Sequence, residues 1–384
     1  MQVSSRIPST LAALGLAMLA SAANADVKIG ITVPLTGFAA ADGKSALDGA
    51  KLAVAQANAK GGIKGEKLEL VIYDDQASPK EAVPAATKLV EKDKVVGAVG
   101  GSYSGSTRAA ASIFQTAQVP YVVAYAIHPD ITRAGDFMFR VSAMGEVQGR
   151  GGAKLVQNLG KKKVVLITLK NDFGQSLAAG FKEGATKFGL NILAEHEYSM
   201  QDRQFGALIS QVKAQDPDVI YASGYFYTAG PLVNQLRAAG VTATIIGQEG
   251  YDSEKFMEIA GPASEGVLIT TSLDRDSANP VTRAFLSDFR QANNVGADMV
   301  AAATYTATQV LIDGLRRADG KGGATLRDAI ASGSYDAPIG KLAFNDLHEV
   351  KKDLQVQVVK DKAFHRHSIV SDPVLLAPPS KASK

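Results

Sequence analysis

G-K-S-A-L-D-G-A-K, Gly43 to Lys51, returns at Gly174 to Lys182 as G-Q-S-L-A-A-G-F-K. Both fit G-x-S-x-x-x-G-x-K. Both open the first helix after a first strand, Val27–Val33 in one case and Val164–Leu169 in the other. A chance match between helix-forming residues is the plain alternative. The equivalent placement in two successive series predicts two similarly built lobes.

The flanking sequence carries each series onward. Gly43–Lys60 reads as a helix stopped at Gly61-Gly62, Leu68–Tyr73 as a strand, and Pro79–Lys92 as a helix with proline in its first turn. Val95–Val99, Gly105–Ala117 and Val119–Ala124 read as strand, helix and strand. After the restart at Val164, Gln175–Phe188, Arg203–Gln215 and Ala229–Ala239 read as helices between the strands Ile192–Tyr198, Asp218–Ser223, Thr244–Ile246 and Val267–Ser272. Ala301–Arg317 and Ala324–Ala331 are further helices, and Leu354–Lys360 alternates like an edge strand. Repeated β-α units predict an α/β fold with parallel sheets covered by helices on both faces. Two such doubly wound lobes leave a ligand cleft at the carboxyl ends of their strands.

The first residues stand apart. Arg6 is the sole charged side chain before Asp26, Leu11–Ala20 is apolar, and Ala23-Asn24-Ala25 is a small-x-small site. Residues 1–25 therefore read as a secretory signal cleaved after Ala25. The apolar run is shorter than the roughly 20 residues a bilayer span needs. The chain beyond Ala25 is too long for one ordinary core and suits two domains. Lys and Arg number 41 against 38 Asp and Glu, a balance that suggests no nucleic acid and no anionic membrane surface as partner. With no cysteine, disulfides, a thiolate nucleophile, a cysteine zinc site and a lipid-attachment cysteine are all excluded. In a diderm bacterium this composition fits a free periplasmic protein, expected to be a monomer without metal or cofactor.

Two stretches invite chemistry. G-F-A-A-A-D-G-K-S has five residues between Gly37 and Gly43, one too many for a phosphate loop, and Asp42 would repel phosphate. Asp42 or Ser45 capping the helix is the simpler reading. G-S-Y-S-G puts Tyr103 at the centre of a would-be nucleophile elbow and Ser104 one place late. The five histidines follow no triad or metal spacing, so a serine hydrolase using Ser104 is the least favoured alternative. Asp74-Asp75 reads as a turn or cap, and His365-Arg366-His367 as a solvated strand or loop. Gly100–Thr107 remains, between a strand and a helix, with hydroxyls at Ser102, Ser104, Ser106 and Thr107. Free N–H groups and the helix dipole favour an anion there. Capping by one serine explains the composition equally well.

A-K-G-G-I-K-G-E-K-L-E-L-V-I-Y-D-D (Ala59–Asp75), S-G-S-T (Ser104–Thr107), H-P-D-I-T (His128–Thr132), N-D-F-G (Asn171–Gly174) and G-Q-E-G (Gly247–Gly250) are the strongest family signals. Through them the chain after residue 25 resembles, along essentially its whole length, the periplasmic leucine/isoleucine/valine-binding proteins of ABC transporters, the type I binding-protein family. The resemblance implies lobes joined by three crossovers, near Ser142, Leu273 and Val350. Lobe 1 would take residues 26–142 and 274–350, lobe 2 residues 143–273 and 351–372, with 373–384 a loose tail. It implies that Ser104 takes a ligand carboxylate, beside Ser102, and that Tyr125, Ala126 and Ile127 hold the ligand's polar end. It implies that Glu249 receives an α-ammonium, with Phe173 and Tyr225 as aromatic walls. The function implied is delivery of a branched-chain or other apolar amino acid to a membrane permease by hinge closure, without enzymatic activity.

Three positions depart from the family pattern. Ile127 replaces a threonine that bridges carboxylate and ammonium, Asp42 stands where an aromatic often covers the ligand, and Ala77 and Tyr103 occupy the usual disulfide positions. Asp42 either receives a second donor of the ligand or caps its helix, and capping is the favoured reading. The departures keep open an aromatic-acid or small-amide ligand.

Overall fold

The computed structural model describes residues 26–381, so the expected signal at residues 1–25 lies outside the described residues. The first sheet has five strands in the order β2-β1-β3-β4-β5, all parallel. They are β1 (Val27–Val33), β2 (Leu68–Asp74), β3 (Gly97–Gly100), β4 (Tyr121–Val123) and β5 (Met138–Arg140). β1 reads as a nearly unbroken apolar run because both its faces are covered; Ile29, Ile31 and Val33 are wholly buried. The helices α1 (Ala40–Ala59), α2 (Pro79–Thr87), α3 (Ser104–Thr116) and the short α4 (Asp130–Arg133) connect these strands. One wider turn, Lys88–Lys92, extends α2.

The second sheet has seven strands, ordered β14-β13-β10-β9-β8-β6-β7. Its parallel part is β6 (Lys163–Leu169), β7 (Asn191–Tyr198), β8 (Val219–Ala222), β9 (Thr244–Gly247) and β10 (Leu268–Thr271). Around it lie α5 (Gly145–Asn158), α6 (Asp172–Phe188), α7 (Gly206–Gln215), α8 (Phe226–Ala238) and α9 (Glu254–Ala260). The chain then returns to the first lobe with α10 (Pro280–Asn293), α11 (Met299–Arg317), α12 (Gly323–Ala331) and the hairpin β11 (Ser334–Ala337) to β12 (Gly340–Ala343). It ends in the second lobe with β13 (Leu354–Lys360) and β14 (Ala363–Val370). The chain thus crosses between sheets three times, after β5, after β10 and after β12.

Leu354–Lys360 is not the expected edge strand. β13 lies between β10 and β14 and is antiparallel to both. The edge is β14, which carries His365, Arg366 and His367 exposed on it. The residues after β14, expected as a loose tail, make contacts of their own. Leu375 and Leu376 are buried, Arg150 donates to the carbonyls of Leu375 and Ala377, and Asn345 donates to that of Pro379.

Glycine decides how the two opening helices of the second lobe meet. α5 crosses α6 at backbone contact: a Cβ on Gly149 would stand 2.2 Å from Leu177 O, and one on Gly180 2.0 Å from Glu146 O. Apolar cores fill both faces of the first sheet. The core of the second lobe takes in Ala39, Tyr103 and Ile127 from the first, so the lobes are closed on one another.

Candidate functional site: a cleft between the lobes

Every predicted site residue except Asp42 follows a strand end. β3 leads through Gly100 and Gly101 to α3. Their φ angles of +153° and +81°, and the 2.5 Å that a Cβ on Gly101 would leave to Val123, require glycine where the chain leaves the sheet. Tyr103 precedes α3 with extended backbone and no side-chain cap, and Ser104 is the first helical residue. The capping explanation of the serines therefore does not hold. Ser106 donates to Tyr103 O, while Ser102 Oγ and Thr107 Oγ1 are buried without a hydrogen-bond partner. The first N–H groups of α3 are left for an acceptor from the cleft.

β4 leads to Tyr125, Ala126 and Ile127. The Ile127 N–H donates to Ser104 Oγ at 3.3 Å, and the Tyr125 hydroxyl is buried and unpartnered. Arg140, wholly buried, shapes this segment. It donates to the carbonyls of Ala126 and His128 at 3.0 and 2.9 Å and pairs with Glu349 of the third crossover. Ile127 is wholly buried and its side chain joins the apolar core of the second lobe. It contributes a backbone donor to the cradle rather than a wall to the cleft.

The second lobe faces this cradle with α6, α8 and the turn after β9. Asn171 caps α6 by accepting from Gly174 N, which sets Phe173 in the first turn. Phe173 stacks on Tyr225 with centroids 4.8 Å apart. Glu249 is 3% exposed. Burial pushes its carboxyl above the ordinary range, against hydrogen bonds from Ser272 (2.5 Å) and Gln148 (3.0 Å) and the positive field of Lys352. Lys352 is itself buried, its ammonium has no hydrogen-bond partner, and burial lowers its pKa to about 8 against the pull of Glu249.

Asp42, Ser102, Ser104, Tyr125, Ala126, Phe173, Tyr225 and Glu249 all line one tightly closed cleft, whose cavity is about 20 Å³. Asp42 does not cap α1, which begins without any side-chain cap. Its carboxylate instead accepts the Tyr103 hydroxyl at 2.7 Å, and burial raises its pKa to about 7. Ser45 is no cap either, because it donates to Asp298. Asp74 does hold a turn, accepting from Leu35, Thr36 and Gln76.

Sequence reasoning missed Tyr103 as a wall of the cleft. It weighed that position as an elbow residue and a lost disulfide partner. The tyrosine's place next to Ser104 was the available signal. Phe38 and Tyr227, 5.0 Å apart across the mouth, were also missed. So were Met299 and Val300, which line the cleft from the start of α11.

Two α/β lobes, three crossovers and a polar cradle facing a buried acid define a binding protein that closes on a small solute. Residues 26–363 match the family described as periplasmic binding protein. The leucine-, isoleucine-, valine-, threonine- and alanine-binding protein of Pseudomonas aeruginosa is 30% identical over 90% of this chain and 93% of its own length. The Leu/Ile/Val-binding protein of Escherichia coli K12 is 28% identical over 85% of this chain and 88% of its own. The isoleucine complex of the branched-chain amino acid transporter substrate binding protein LivJ from Streptococcus pneumoniae superposes with a TM-score of 0.85, at 27% identity, over 90% of this chain and 99% of that one. The chain belongs to the leucine/isoleucine/valine-binding family of type I periplasmic binding proteins. These relatives are binding proteins and not enzymes.

Proposed function

We propose that the mature protein, released into the periplasm once residues 1–25 are removed, binds a branched-chain or other small apolar α-amino acid between its lobes and hands it to the permease of an ABC transporter. The lobe limits are 26–142 with 274–350 and 143–273 with 351–372, and the protein acts as a monomer. One observation carries the reading: the uncapped start of α3, with its free hydroxyls, lies across a closed cleft from the buried carboxylate of Glu249. An α-amino acid has the two charges to match. Its carboxylate meets Ser104 and the α3 N–H groups, and its ammonium meets Glu249 in a charge-assisted pair. Contacts from both lobes exist together only when the cleft is closed, so the ligand favours closure by its differential affinity.

The test is a thermal-shift screen of protein unfolded to strip any retained ligand and then refolded. Amino acids of the branched-chain class raise the midpoint with concentration. Stabilisation by benzoate-type acids, and by no amino acid, overturns the reading.

A further inference from the structure

Tyr103 stands one residue before Ser104, yet its side chain belongs to the cleft. Its ring lies 4.5 Å from Tyr225 of the other lobe and 5.9 Å from Phe38, so it fills space between the lobes and shortens the cleft. Its hydroxyl is committed to Asp42 Oδ2 at 2.7 Å.

Asp42 is 8% exposed and lines the same cleft. Among the described residues no Lys, Arg or His lies within ion-pair distance of it. The acid nearby, Asp298, adds to the local negative charge. A carboxylate offers about four acceptor positions, and Tyr103 supplies one donor. A buried carboxylate left this far short of partners is costly. Neither helix capping nor an internal ion pair explains its presence. Asp252, also in the cleft, differs in being paired with Arg275. Met299 and Val300 line the same cleft, so the space combines an apolar surface with a carboxylate whose acceptor positions are mostly unmet.

We propose that Asp42 and Tyr103 are the specificity-determining pair of the cleft, and that the ligand is a short α-amino acid whose side chain carries a hydrogen-bond donor, hydroxyl or amide, to Asp42. This rests on the amino-acid reading above and narrows it. Ser104 and Glu249 hold the groups that all α-amino acids share. Tyr103 limits the length of the side chain, and Asp42 distinguishes a donor from a methyl of the same shape. A site with an unpaired polar group discriminates against the analogue that leaves it unpaired.

Isosteric pairs test the idea without ambiguity of size. Threonine against valine, and asparagine against leucine, are titrated by calorimetry into stripped and refolded protein. At pH 8, where Asp42 is ionised, at least one donor-bearing member binds about tenfold or more tightly than its apolar isostere, as a hydrogen bond to a charged group warrants. In Asp42→Leu the ratio between the donor-bearing member and its apolar isostere falls to about one or below. In Tyr103→Phe it shrinks and longer side chains gain nothing, because the ring remains. If valine and leucine bind the unmodified protein as tightly as their partners, or more so, the proposal is wrong and the amino-acid reading survives. If no amino acid binds, both fall. The isostere ratio in the unmodified protein decides the matter even if a variant fails to fold.

Discussion

Ser272 donates its hydroxyl to Glu249 at 2.5 Å, which ties the acid of the cleft to the strand end where the second crossover begins. Gln148, just beyond the first crossover, donates to the other carboxylate oxygen, and Lys352 of the third crossover stands near enough to pull on its charge. Glu249 therefore answers to all three connections between the lobes. Glu249→Ala is expected to weaken valine binding by roughly 30-fold or more, since removing one partner of a buried charge pair costs about 2–5 kcal/mol. Asp42→Ala, which removes no contact to a plain aliphatic side chain, changes valine binding far less. Calorimetric titrations with equal, negligible effects would remove the ammonium role from Glu249.

Ser104→Ala deletes a cradle hydroxyl but leaves the backbone donors of α3. The expected loss is about tenfold in Kd for any carboxylate ligand. Because Ser104 accepts from the Ile127 N–H, the variant also leaves that donor without its acceptor. An unchanged Kd would place the ligand carboxylate elsewhere.

The acids of the first lobe make stability depend on pH. Burial raises Asp42 from 3.8 to about 7, and Asp298 and Asp75 to about 6. Between about pH 4 and 7 the folded chain keeps protons that the unfolded chain has released, so stability falls as pH rises through that window. Asp42→Asn removes the acid displaced furthest upward and keeps an acceptor for Tyr103. It is expected to raise the unfolding free energy by on the order of 2–4 kcal/mol at pH 8. Near pH 4 the gain should vanish. A gain of the same size at both pH values would show that the carboxyl is not protonated in the folded state.

Arg140 serves the cradle from beneath. Arg140→Met would leave Glu349 buried without its cation, at a cost of about 3–5 kcal/mol in denaturant unfolding. It would also free the Ala126 and His128 carbonyls that hold the Tyr125–Ile127 segment in place. Replacing Glu349 with leucine in the same chain should restore a good part of the stability. Failure of the double variant to recover would assign the loss to the carbonyl anchors instead.

Val27–Val33 was legible because burial on both faces forces a nearly unbroken apolar run, and Leu354–Lys360 because its residues alternate; both carry the expected limits. α5 escaped notice because its sequence, G-E-V-Q-G-R-G-G-A-K-L-V-Q-N, spends its packing face on glycine. Glycine is a poor helix former, and only the close approach of α6 makes it the right residue there. The three-residue strand β5 and helix α10 were missed as well. Periodicity recognised Leu354–Lys360 but set no limits for its neighbour β14, whose exposed His365-Arg366-His367 read only as a solvated strand or loop. In the cleft, family likeness pointed to the residues that hold a ligand's charged groups. It marked Tyr103 and Asp42 only as departures from the pattern; their pairing is a contact between positions 61 apart.

Phe38 and Tyr227 face each other at 5.0 Å from opposite lobes, and Phe38 is 42% exposed. The chain has no tryptophan. A tryptophan placed at position 38 would be the sole indole in the molecule, packed against a tyrosine when the lobes meet and bathed in water when they part. The rim of the cleft is thus ready to act as an optical gauge, turning solute capture into a change of emission without any attached dye.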